Sequence, residues 1–350
     1  GGVLISATGL NNMNETFNPV TFNNVIFSNN QAGSGGGFYA FQAVFHISNS
    51  VFFNNEGLDG GALYLQNYSS VYLDRVTITD NIAPQGAGIY TRYGATAIVT
   101  NSIISGNDGD SQITIHDIEP SSIVSSVDIS YTNLQGGDAG VVDNDGGLVW
   151  GNGNIDVNPQ FIDAESGDYQ LLASSLCINA GDPTAQDEDG TRRDMGAYPY
   201  LIDHDGFDDW YVSTSGSDST GMGSSISEFA SIQAALNFAN ENQTIHVASG
   251  TYNENIEWPY LTSGIKLLGA GVGNSIIDGD DLGTVISIDT WVDGGTASQI
   301  GNDTHISGFT IQNGGGETAG GIYLAWAGPT LTDLDIRDND GSRGAGMHVR

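Results

Sequence analysis

GGGFYA at residues 35–40, GGALYL at 60–65 and GAGIYT at 86–91 are one local pattern repeated, and its spacing decides the fold. Tyr39, Tyr64 and Tyr90 fall 25 and 26 residues apart, and His116 follows 26 residues later. Near the other end, GGIYLA at 320–325 and GAGMHV at 344–349 set Tyr323 and His348 25 residues apart in the same context. A fixed period of this length means that one supersecondary unit is being reused.

Working outward from these stretches, further columns keep the period: Phe27, Phe53, Ile78 and Ile104; Ile47, Leu73 and Val99; Ile311 and Ile336. Apolar residues alternate within each unit, as in Val25 and Phe27 or Phe38 and Ala40, which fits about three short strands per unit. Asn30, Asn81, Asn107, Asn313 and Asn339 mark strand ends, where asparagine tolerates a left-handed corner and can bond to its copy in the next unit. A three-stranded unit cannot bury its inner face alone. Coiled so that each strand pairs in parallel with its copy about 4.8 Å away, the units stack their apolar columns into one core. The expected fold is therefore all-β, a parallel β-helix. A leucine-rich repeat would need regular Leu and a helical segment, and a propeller blade needs about 40 residues.

Composition agrees. The 350 residues contain 50 glycines, and 39% are apolar, enough for a continuous core with many turns. The eight Lys and Arg, with Lys266 the one lysine, face 42 acidic residues for a formal charge of −34. Such a surface repels nucleic acid and anionic lipid, and suits a salty medium that screens its self-repulsion. Cys177 is the sole cysteine, so no intramolecular disulfide forms. No apolar run is long enough for a membrane span, and the opening GGVLISATG lacks the features of a signal peptide.

Three segments are expected. Residues 1–118 read as the last rungs of a first β-helix, 119–209 as an acidic closing or connecting segment, and 210–350 as the cap and first rungs of a second β-helix. In the third, Ile232, Ala235, Leu236 and Ala239 have helical spacing after Ser231 as the expected N-cap, giving one short helix that would cover an open sheet edge. Rungs at both ends of the chain imply continuation, as tandem modules in a fibre or as self-associating subunits.

Residues 210–350, with YVSTSGSD at 211–218, SIQAAL at 231–236 and TIHVASGTYNENI at 244–256, resemble the start of bacterial right-handed β-helix proteins of the pectate-lyase-like superfamily. Residues 154–198, with NIDVNPQFID, GDYQLLASSLCINAGDP and RRDMGAY, resemble the closing segment called a choice-of-anchor domain. The resemblance implies a right-handed helix in a secreted or cell-surface bacterial protein. It leaves function open, because the superfamily includes lyases, hydrolases, adhesins and fibres.

A lyase of this fold uses a cationic base, and only Arg75, Arg92, Arg337, Arg343 and Lys266 are on offer. Hydrolysis would need paired carboxylates, for which Asp335, Asp338 and Asp340, or Asp74 and Asp80, are candidates that also suit turns. Alternation points Tyr39, Tyr64, Tyr90, His116, Tyr323 and His348 outward, as an exposed ladder for sugar rings or a lateral contact, or as a stack that stabilises the strands. Two loops could hold Ca²⁺: DEDGTRRD with Asp187, Asp189 and Asp194, and DHDGFDD with Asp203, Asp205 and Asp208. No cofactor is required. The reading that follows is an extracellular structural or adhesive module, with a polysaccharide-binding or polysaccharide-degrading protein as the alternative.

Overall fold

The computed structural model describes residues 3–6, 19–117, 124–202, 208–259, 262–290 and 300–350. Among them the chain is all-β, a solenoid of about twelve turns with mostly parallel pairing. It divides into two compact units, one built on Gly1–Leu171 with Leu176–Leu201, the other on Leu172–Ser175 with Ile202–Arg350.

The first unit has two main sheets around one core. A six-stranded sheet runs Val3–Ser6, Phe38–Phe41, Leu63–Gln66, Ile89–Arg92, Ile113–His116, Val141–Asn144. The second sheet holds the long strands Val44–Phe53 and Ser70–Thr79, then Thr96–Thr100, Ser126–Ser130 and Gly147–Trp150. A third side is marked by isolated parallel bridges from Gln31 to Glu56, Ile82 and Asp108 in turn. In-register pairing puts Phe38 beside Leu63 and Leu63 beside Ile89, all buried. Ile47, Leu73 and Val99 form a second column.

The long strands bend at a corner column, Asn24, Asn49, Arg75, Asn101 and Tyr131, all at positive φ between 48° and 57°. Below the next corner sits the column expected at Phe27, Phe53, Ile78 and Ile104. Its second member is Phe52: Phe27 pairs with Phe52, and Phe52 with Ile78. The Phe27 and Phe52 rings lie 4.4 Å apart at 7°. A slip of one residue reverses the face of a strand, so Phe53 points outward, where it meets Tyr169 at 5.2 Å. The asparagine corners also divide their labour. Asn29, Asn54, Asp80 and Gly106 take the left-handed conformation, and the following Asn30, Asn55, Asn81 and Asn107 turn inward to bond along the axis. In the second unit Asn313 is itself the left-handed corner, and Asn339 accepts the Gly314 amide.

Strand pairing runs on past residue 118. Ile98 pairs with Asp128, an offset of 30, and Asp128 with Val149, an offset of 21. These coils belong to the same sheets but have different lengths, which is why the 25-residue spacing disappears from the sequence. The antiparallel pair Phe161–Asp163 and Asp168–Leu171 and residues 195–198 then cover the outer side of the second sheet around Val51 and Thr77.

In the second unit, Asp209–Val212, Thr244–Val247, Lys266–Gly269 and His305–Gln312 pair in succession, and Ile256–Glu257, Ile286–Asp289, Ile322–Ala325 and Met347–Val349 form another sheet. The expected helix spans Ile232–Phe238, with the Ser231 hydroxyl accepting the Ala234 amide at 3.2 Å. Its apolar side packs on Trp210, a buried residue of the edge strand, with the Trp210 and Phe238 rings 6.0 Å apart. The Glu254 carboxylate also accepts the Ile232 and Gln233 amides, at 2.8 and 2.9 Å. Two free amides of the first turn are thereby satisfied.

Candidate functional surface

The tyrosine column is where repetition acts most directly on the outer surface. Parallel in-register strands bring identical side chains into line, so Tyr39 and Tyr64 stack at 5.3 Å and 5°, and Tyr64 and Tyr90 at 5.1 Å and 4°. The Tyr64 ring is covered on both faces. Tyr64 and Tyr90 are consequently 4% and 3% exposed, which corrects the expectation of an open aromatic ladder. Arg92 donates to the Tyr64 hydroxyl at 3.3 Å, and Gln66 donates to that of Tyr39. Burial raises the Tyr39 and Tyr64 hydroxyls above the ordinary phenol value and pushes Tyr90 up to about 12. His116 leaves the register: Ile89 pairs with Ile113, so Tyr90 faces Thr114 and His116 faces Arg92. Its ring leans against Tyr90 at 5.9 Å and 32°. Tyr323 and His348, in the second unit, are in register and partly exposed, 5.7 Å apart at 30°.

The first acidic loop uses its carboxylates internally. Asp194 accepts the Asn179 and Tyr200 amides at 2.6 and 2.7 Å, and Asp187 accepts the Asp194 amide at 2.7 Å while pairing with Arg75 at 3.3 Å. Asp189 accepts the Thr191 amide and hydroxyl at 3.0 and 2.6 Å. Burial raises both Asp187 and Asp194 against the pull of these donors, Asp194 up to about 8. Among the described residues no group of three His, Cys, Asp or Glu is placed to hold a metal ion. Asp203 and Asp205 of the second loop lie outside the described residues, and Asp208 is exposed.

Asp74, Asp80 and Arg337 are similarly engaged. Asp74 pairs with Arg193 at 3.5 Å and accepts the Asn101 amide nitrogen at 2.8 Å. Asp80 accepts the Tyr169 hydroxyl at 2.9 Å. Arg337 donates to Gln312 on the preceding coil at 3.0 Å and lies 3.7 and 3.9 Å from Asp335 and Asp338.

One open face escaped the sequence reading. Thr21, His46, Tyr72, Ile98, Asp128 and Val149 lie opposite one another across six strands. Tyr72, Ile98 and Val149 are 38%, 43% and 55% exposed. The signal was present as polar and apolar alternation in VFHISNS and SVYLDRV. Residue types change at every coil, however, so repetition does not reveal the row.

A family model described as a right handed beta helix region matches residues 8–175, and one described as a protein of unknown function (DUF1565) matches residues 214–348. A probable pectinesterase/pectinesterase inhibitor 12 from Arabidopsis thaliana is 29% identical over 142 residues, covering 35% of this chain and 26% of that protein. The chain thus spans about a quarter of the length of this curated relative. No solved structure matches.

Proposed function

We propose that this chain, which belongs to the right-handed parallel β-helix proteins of the pectate-lyase-like superfamily, serves as a structural or adhesive module of a secreted or cell-surface protein. The observation that supports this role is the use made of outward side chains. The tyrosine stack, Arg75, Arg92, Arg193 and Arg337 all tie one coil to the next or a loop to a coil. Groups committed in this way stiffen a solenoid, whose stability is a sum of neighbour contacts. The role requires no cofactor, and its natural partners are further modules of the same kind.

Immunogold labelling of native cells with an antibody against the module tests the location. Label on the outer surface is expected, and label confined to the cytoplasm would refute the proposal. The likeness to a pectinesterase supports a carbohydrate-related variant of this role. Methanol release from methyl-esterified pectin, and new reducing or unsaturated ends on neutral and acidic polysaccharides with and without Ca²⁺, test it as an enzyme. Turnover abolished by Arg337→Ala or Asp338→Asn would replace the structural reading.

A further inference from the structure

In the second unit, the same alternation that buries Trp210, Ile245 and Leu267 turns Tyr211, His246 and Leu268 outward in one column. The chain adds a short edge to this column. Val212 forms a parallel bridge with Phe229, and the Phe229 amide donates to the Tyr211 carbonyl at 3.0 Å. One residue earlier on each strand, Glu228 is level with Tyr211. Glu228, Tyr211, His246, Leu268 and the small residues Gly269 and Ala270 line an open hollow of about 400 Å³. Gly269 contributes backbone alone at that end, and a Cβ there would lie 2.4 Å from the Gly308 carbonyl oxygen.

The polar groups are of mixed kind. Tyr211 stacks on His246 at 5.1 Å and 22°, and His246 Nε2 lies 3.1 Å from an Asp209 carboxylate oxygen. The Glu228 side chain has no hydrogen bond or ion pair among the described residues. The hollow therefore offers a free carboxylate acceptor, a phenol and an imidazole that can donate, and an apolar wall at Leu268 and Ala270. A simple cation would use only the carboxylates, and an anion would be opposed by Asp209 and Glu228. A neutral ring bearing several hydroxyls uses every part, because each hydroxyl both donates and accepts and the ring carbons suit an apolar wall. The volume lies near the lower end of the roughly 300–1,000 Å³ typical of small-molecule sites.

We infer that this hollow is a binding site for a neutral pyranose sugar, held by Glu228, Tyr211 and His246. The site is independent of the structural role proposed above, which concerns other residues. Saturation-transfer NMR and calorimetry on the full chain test it with glucose, galactose, mannose and xylose, with galacturonate and glucosamine as charged comparators. At least one neutral sugar binds, and Tyr211→Ala and Glu228→Gln each weaken it roughly tenfold while Thr332→Ala, farther along the same face, does not. Circular dichroism checks that the variants are folded, and Glu228→Gln, which keeps the shape of the side chain, decides the matter if Tyr211→Ala is not. Preference for galacturonate or glucosamine over every neutral sugar overturns the assignment. So does binding by none of these sugars, or affinity unchanged in the folded variants.

Discussion

Replacing Asn81 by alanine tests the internal ladder. Asn81 is fully buried, and its Nδ2 donates to the carbonyls of Phe52 and Thr79 and to Asn107 Oδ1, each at 2.9 Å. Its Oδ1 accepts the Asn55 amide at 3.1 Å and Asn55 Nδ2 at 2.9 Å. Some partners have alternatives: Asn55 Nδ2 keeps the Phe27 carbonyl at 2.8 Å, and Asn107 Oδ1 keeps the Asn81 amide at 3.0 Å. What alanine orphans is the buried Asn55 N–H, together with one donor to each of two carbonyls. At about 1–3 kcal/mol for a stranded buried group and less for a carbonyl that loses one donor, the loss sums to about 3–5 kcal/mol. For a chain of this size each kcal/mol moves melting by roughly 2 °C, so a drop of roughly 6–10 °C is expected in far-ultraviolet circular dichroism melts. Asn30, at the half-exposed end of the run, gives only one such side-chain bond, to Asn55, and water can replace it. Its alanine variant is expected to lose less than about 1 kcal/mol. The reasoning fails if Asn81→Ala melts within about 2 °C of the parent, or if Asn30→Ala costs as much.

Other perturbations follow from the same geometry. Asp194, pushed from 3.8 up to about 8, and Glu254, pushed from 4.5 up to about 7, bind more protons folded than unfolded between those limits. Their contribution is complete below pH 4 and is lost as pH rises through 7 and 8, so melting temperature should fall from pH 5 to 9, and less steeply in Asp194→Asn; a melting temperature that rises over that range contradicts it. Gly109→Ala would place a Cβ 2.0 Å from the Ala83 carbonyl oxygen, whereas Gly33→Ala meets nothing within 4 Å. Soluble yield and melting should drop sharply in the first and stay unchanged in the second. Tyr64→Ala removes the middle of the ring stack and should destabilise by about 3–5 kcal/mol, more than Tyr39→Ala at its end; equal losses in urea titrations would argue against stacking as the cause. Because Asp187 and Asp194 already hold amides and Arg75, Ca²⁺ should raise the melting temperature no more than Mg²⁺ at equal ionic strength, and a Ca²⁺-specific rise abolished by EDTA would revive that loop as a metal site.

The fold class and handed family were legible in the sequence because a solenoid repeats its local problem: each coil must bury Phe38, Leu63 or Ile89 in the same place, and the residues record that need every 25 or 26 positions. The capping helix was legible for a related reason, since Ser231 and the spacing of Ile232, Ala235 and Leu236 are local signals. Coils of offset 30 and 21 were not legible, because chain length between strands can vary once the core columns are kept. Spacing located the tyrosines and alternation turned them outward, but only the pairing of neighbouring strands could decide that their ring faces close against each other. The same holds for Asp187, Asp194 and Glu254, whose sequence context is that of surface loops. Their burial comes from loops and coils folded over them, and that burial raises their proton affinity against the pull of the amides they accept, which no local pattern encodes. Repetition along the chain therefore fixed what each coil must be, and the register between coils decided which of its outward groups remain open to anything else.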